Sequence, residues 1–330
     1  MKENPMGLIA QLERLSGCQG NRPNTGAMAI LRRGIGHRLT DIDPAVMPYI
    51  APHIGSKQGA ALPALVATLY AQHPQHEANR ESLGSRLAKA IGSDSQERRI
   101  QSLLHARGDE QIARLREAIA LLASAGQSLD YVQLYWDLNE WESSQRKVQI
   151  RWARDFWCLR HNLEIPTENH KNLRTFFILH LNTLATCNDR AALADLRSGL
   201  DRPGEAIRLL PHVAPFLPPE RPWEWNRWLL IASLFGLHPH HREKEIDSLP
   251  KAWYILMQQS NQKRSESQEQ RFIALLDAES TELGHHLRQA VSLLKQANMP
   301  LNYSRLLNDI LFWGSGKHRV QLQWAKNFWG

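Results

Sequence analysis

Basic side chains recur at matched places in the two halves of this chain, and guanidinium groups at fixed positions suit bidentate contacts to phosphate. Arg32 is matched by Arg197, Arg99 by Arg271, Arg116 by Arg288, Lys147 by Arg319 and Arg154 by Lys326. Other cations lose or reverse their charge in the second half: Arg33 gives way to Ser198, Arg98 to Gln270, Arg107 to Glu279 and Arg151 to Gln323. Such selectivity is what a functional subset would show. The competing reading is packing, because arginines on helix surfaces also cover apolar neighbours or pair with carboxylates, as Arg116 could with Glu117 or Asp109. Residue chemistry alone leaves both readings open.

Other chemistries find less support. His238-Pro239-His240-His241 and His285-His286 carry donors a metal would use. A ligand set has to converge on one point, whereas adjacent histidines diverge, so these are read as surface histidines in a polar loop. Neither a metal nor another cofactor is expected. An enzyme would need a nucleophile beside a base, or paired acids in a pocket. Asp137, Glu140, Glu220 and Glu224 qualify by type only, and none forms a pair that recurs in both halves. Cys18, Cys158 and Cys187 are odd in number and lie in no CxxC pair, which argues against a disulfide framework or a zinc site. No Gly-rich phosphate loop, aromatic RNA-binding signature or recognition-helix motif occurs.

The elements that position these residues are built twice. Residues 129–157 read LDYVQLYWDLNEWESSQRKVQIRWARDFW and residues 301–329 read LNYSRLLNDILFWGSGKHRVQLQWAKNFW, in register at an offset of 172. Residues 95–104 and 267–276 match at the same offset, while Leu31, Arg32 and Gly34 match Leu196, Arg197 and Gly199 at an offset of 165. Residues 65–70 match 230–235, and Ser82-Leu83-Gly84-Ser85-Arg86 aligns with Ser248-Leu249-Pro250-Lys251-Ala252. Inside each copy the apolar residues fall at helical spacing, as in Ile112, Leu115, Ile119 and Leu122, or Val148, Trp152 and Phe156. In the second copy Gly314-Ser315-Gly316 breaks the helical pattern, and Glu142-Ser143-Ser144 is expected to do the same in the first. The tryptophans at 141, 152, 157, 313, 324 and 329 are expected as core or interface anchors rather than base-stacking platforms, since helical spacing explains them. Strand-type alternation is scarce, so the class is all-α, with two similar helical-bundle domains at 1–161 and 162–330. The polar joint at 162–172 reaches roughly 40 Å at full extension, which favours a head-to-tail arrangement.

Composition narrows the partners. The chain has 330 residues, 42% of them hydrophobic, 11 tryptophans and a formal charge of +7. Residues 1–160 carry 20 basic and 16 acidic side chains and the remainder 20 and 17, so the excess is spread rather than gathered in a tail. No signal-peptide pattern or bilayer-length apolar segment is present, so a soluble, cytoplasmic protein without membrane contact is expected.

The order of these motifs resembles the CasB family, the small subunit of Cascade, the type I-E CRISPR surveillance complex. The resemblance is carried by Leu31-Arg32-Arg33, by Ser82-Leu83-Gly84-Ser85-Arg86-Leu87, by Glu97-Arg98-Arg99-Ile100 and by residues 129–141; the second copy carries it more loosely. It implies a non-catalytic helical subunit, used twice per complex and head to tail along the crRNA-bearing filament. Its partners would be the backbone filament, the large subunit, the crRNA and the target DNA, where basic side chains hold the RNA–DNA hybrid and the displaced strand. Carried over by position, the candidate strand contacts are Arg32, Arg33, Arg86, Arg98, Arg99, Arg116 and Lys147, then Arg197, Lys251, Arg271, Arg288 and Arg319. The usual member is a single domain, whereas this chain carries both, one fused chain replacing two small subunits. Ser198 and Gln270 imply a weaker or protein-directed grip in the second copy. An interaction scaffold for an acidic protein partner is the alternative.

Overall fold

The computed structural model describes residues 4–18, 20, 22–55, 59–143, 145–160, 170–200, 206–242, 248–259, 262–316 and 318–330. Two compact units emerge, Met1–Leu163 and Glu164–Gly330. The first holds α1 (Pro5–Ser16), α2 (Thr25–Arg32), α3 (Met47–Ile50), α4 (Ala61–Gln72), α5 (Leu83–Ala90), α6 (Asp94–His105), α7 (Glu110–Ser124), α8 (Tyr131–Asn139) and α9 (Lys147–Arg160). The second repeats them in order as α10 (His170–Thr186), α11 (Arg190–Arg197), α12 (Leu210–Val213), α13 (Trp225–Leu237), α14 (Leu249–Gln258), α15 (Gln262–Asp277), α16 (Leu283–Gln296), α17 (Tyr303–Leu311) and α18 (Arg319–Trp329). Each helix of one unit therefore has a counterpart nine places along. Among the described residues there are isolated β-bridges but no strand, so the chain is all-α with tandem domains.

Local chemistry sets the helix ends in parallel. The side chains of Asn24 and Asp189 each accept a 2.9 Å bond from the backbone N–H three residues on, capping α2 and α11. Asp130 caps α8 through Val132 and Gln133, and Asn302 caps α17 through Arg305. Helices α7 and α16 stop where Gly126 and Asn298 take φ of 63° and 52°, the left-handed region that closes a helix. At the expected break between α8 and α9, residue 144 lies outside the described residues, as do 162–169 of the joint. The last three residues read as joint, from His170, already belong to α10.

Helix α4 is apolar nearly all round and is buried from Pro63 to Ala71, so it forms the axis on which α1, α2, α7 and α8 pack. Helix α13 plays that part in the second unit, touching α11, α16 and α17. Buried polar locks repeat between the units. The His73 ring meets the Gln127 carbonyl at 2.7 Å and the His238 ring meets that of Met299 at 2.6 Å. The hydroxyls of Tyr131 and Tyr303 donate at 2.7 Å to the carbonyls of His73 and His238. Trp141 and Trp313 donate from Nε1 at 3.1 Å to Ala106 and Ala278, and their rings meet Trp152 and Trp324 at 5.0 and 4.9 Å. His238, expected at the surface, is thus a buried staple, and burial lowers its pKa and favours the neutral ring. His241 likewise accepts the backbone N–H of Tyr303 at Nδ1, as His76 does from Tyr131.

Candidate nucleic-acid interface

Ten of the twelve cations named as strand contacts are exposed; Arg86 and Arg116 are not. Arg86 is buried, and its guanidinium lies 2.8 Å from Glu77 and 2.7 Å from Glu81. Hydrogen bonds from Ser128 and then Arg86 hold the Glu77 carboxyl below its usual range, so that carboxylate stays charged at neutral pH. Arg86 is therefore a packing residue, and its place in the second copy is taken by Ala252. Arg116 is half-buried and donates through Nη2 to the carbonyl of Ile35. It does not pair with Glu117, which Arg114 holds at 3.3 Å, nor with Asp109, which caps Leu39 N–H at 2.9 Å. Those two bonds pin the loop after α2 onto α7 and so fix where Arg33 stands. Arg32 donates from Nε to Ala71 at 2.8 Å and Arg197 to Leu193 at 3.1 Å, each leaving the rest of the guanidinium toward solvent.

Arg98 and Arg99 project from the first half of α6, as Arg271 does from α15. Glu97 accepts from Arg160 Nε at 2.8 Å and so ties α6 to the end of α9. In the second unit Glu269 accepts from Trp329 Nε1 at 2.7 Å. Trp329, expected as a core or interface anchor, is 48% exposed, whereas its counterpart Trp157 is 1% exposed. Lys147 and Arg319 occupy the first positions of α9 and α18, where the helix dipole disfavours a cation by roughly 0.3–1 kcal/mol. Packing gives no reason for that cost, since both side chains are exposed. Lys251 and Arg288 are exposed on α14 and α16.

Of the acidic residues that might have marked an enzyme, Asp137 and Glu224 are held in structural contacts, whereas Glu140 and Glu220 are exposed. Asp137 is 2% exposed and accepts from Trp152 Nε1 and Gln133 Nε2 at 2.6 Å each, with Arg151 closing the cluster. Asp309 repeats this with Trp324 at 2.7 Å and Arg305 at 3.2 Å, and burial raises its carboxyl pKa. Burial also raises Asp155, which takes the Ser82 hydroxyl at 2.6 Å. Glu224 is buried and paired with Arg221 at 3.1 Å. Among the described residues no trio of His, Cys, Asp or Glu could hold a metal ion, and no helix is long and apolar enough to cross a membrane.

What survives is a set of exposed cations, several at duplicated positions, and the comparison with known proteins agrees with the duplication. The family profile described as "CRISPR-associated protein Cse2" matches residues 27–157 and again 192–329. The chain belongs to the Cse2 family. A curated Cse2 relative from Thermus thermophilus is 34% identical over 151 residues, 44% of this chain and 87% of that protein. A Cse2-family crystal structure from the same organism is 33% identical, covering 48% of this chain and 97% of that one, with a TM-score of 0.42. CasB from M. ruber is 29% identical, covering 49% and 93%, with a TM-score of 0.40. One Cse2 relative thus spans about half of this chain, and the family profile is met twice in it. Charge recurrence pointed to exposed cations on α2, α6 and α15. It missed Arg160, whose pairing with Glu97 bridges 63 residues and leaves no local pattern.

Proposed function

We propose that the chain is a non-catalytic Cascade subunit that supplies both small-subunit positions at once and holds the guide RNA–target DNA hybrid and the displaced strand by their backbones. The observation that carries this reading is the family match in two consecutive segments, each with its own exposed cations. Base pairing with a guide reads sequence, so such a subunit needs shape and phosphate contacts rather than base readout. Arg32, Arg33, Arg98, Arg99 and Lys147 are the contacts of the first unit; Arg197, Arg271, Arg288 and Arg319 are those of the second. Covalent linkage raises the local concentration of the second unit beside the first, so one docking event places both.

The test is assembly. Co-expressed with the other subunits and a guide RNA, the chain is expected to purify in a complex whose native mass accommodates one copy. Two copies per complex, or a complex with an acidic protein and no RNA, would overturn the proposal.

A further inference from the structure

Between α14 and the end of α18 the second unit holds an open cleft of about 740 Å³. The first unit is closed at the matching place. There α5 lies so tightly on α9 that a Cβ on Gly84 would stand 2.2 Å from the Trp152 carbonyl oxygen. Proline at position 250, where the first unit has Gly84, cannot make that approach, and the helices stand apart.

The cleft also differs in charge. Asp130 and Asp155 of the first unit correspond to Asn302 and Asn327, Ser85 to Lys251, Gln133 to Arg305 and Arg154 to Lys326. Arg151 corresponds to Gln323 as well, so two cations facing two acids have become three cations and no acidic side chain in the lining. Counting the Asp309 oxygen 3.2 Å from Arg305 still leaves a cationic wall. Aromatic surface is present there as well. Tyr254, 37% exposed, stands where the first unit has Ala88, and Trp329 presents its ring while Glu269 holds its Nε1.

Cations beside exposed aromatic faces and side-chain amides are the components of a single-strand site, where phosphates meet the cations and unstacked bases meet the rings. We propose that this cleft binds a short segment of single-stranded nucleic acid, with phosphates on Lys251, Arg305 and Lys326 and a base stacked on Trp329. The inference rests on the strand-binding function proposed above and adds a place for it in the second unit, where the described residues of the first pack closed at Gly84. DNA and RNA share this chemistry.

Binding of fluorescein-labelled octathymidylate and octauridylate to the intact chain, followed across a salt series, tests it. Replacing Lys251 and Lys326 together by Ala is expected to weaken binding at low salt at least about tenfold and to flatten the log–log salt slope by about 1.4, near 0.7 for each phosphate deprived of its cation. Trp329→Leu is expected to cost about fivefold or more at unchanged slope, with Trp329→Phe restoring most of it. Either oligonucleotide binding in this way supports the site, and the tighter one identifies the strand. Unchanged affinity and slope in the Lys variants would overturn the cleft while leaving the wider reading intact, provided that replacing Arg33, Arg98 and Arg99 by Ala weakens binding. Competition by polyglutamate of equal charge as strong as that by the oligonucleotides would overturn the nucleic-acid assignment. A wild-type chain that binds neither oligonucleotide would overturn both proposals.

Discussion

The two units agree inside and differ outside. The His–carbonyl, Tyr–carbonyl and Trp–carbonyl locks repeat between them to within 0.1 Å, although the sequences holding them diverge. The outer positions follow another rule. The second unit has no counterpart of Arg33, Arg98 or Arg86, it carries Lys251 and Arg305 where the first has neither cation, and one helix pair has opened into a cleft. A buried donor or acceptor left without a partner costs about 1–3 kcal/mol, so locks resist change, whereas an exposed cation can be exchanged at little cost to stability. Position-by-position charge differences between the units therefore report on what each surface meets.

The sharpest way to break this comparison is at the α5–α9 contact. Gly84→Ala should destabilise the first unit by about 3 kcal/mol, because the clash with Trp152 outweighs the roughly 1 kcal/mol of helix propensity gained. Pro250→Ala, at the matching place in the second unit, should shift stability by less than about 1 kcal/mol. Urea denaturation of the two variants measures both; comparable losses would show that the units close alike. Next in size are the locks. Trp141→Phe and Trp313→Phe each strand a buried carbonyl and should cost about 1–3 kcal/mol, equally in the two units. Unequal losses in a thermal melt would mean that the shared geometry hides different energetics.

The smallest effect is electrostatic. Burial raises the folded-state pKa of Asp155 above its unfolded value, so its charge destabilises the folded unit above the folded pKa, and the penalty fades as pH falls through the folded pKa toward the unfolded one. Asp155→Asn copies the residue the second unit already has at Asn327 and should stabilise the first unit near pH 7 by about 1 kcal/mol or less. The gain should vanish near pH 3. Stability curves of the two proteins from pH 3 to pH 8 check the sign, and a variant less stable at pH 7 would show that the Arg154 pairing outweighs burial.

Much of this architecture was legible in the sequence because a helix writes its period locally and a duplication writes its offset. The offsets of 165 and 172 aligned nearly every helix with its counterpart. The roles of single polar residues were not legible, because their partners lie far along the chain. His238 looked like part of a surface loop, but its acceptor is 61 residues away. Arg116 looked like a phosphate contact, but its acceptor is in a loop 81 residues before it. Trp329 fitted the helical spacing of a packed residue, yet it is 48% exposed where Trp157 is buried. The cleft needed the structure, since Gly84 against Pro250 reads as a helix-start preference until the distance to Trp152 is known.

The central claim, that the chain grips a sugar–phosphate backbone through surface cations, is tested most directly by the salt dependence of its affinity for a guide RNA–target DNA hybrid. We predict a log–log slope of about −3 or steeper, which flattens more when Arg33, Arg98 and Arg99 are replaced by Ala than when Arg271 and Arg319 are. A slope near zero, unchanged by either set, would contradict the account.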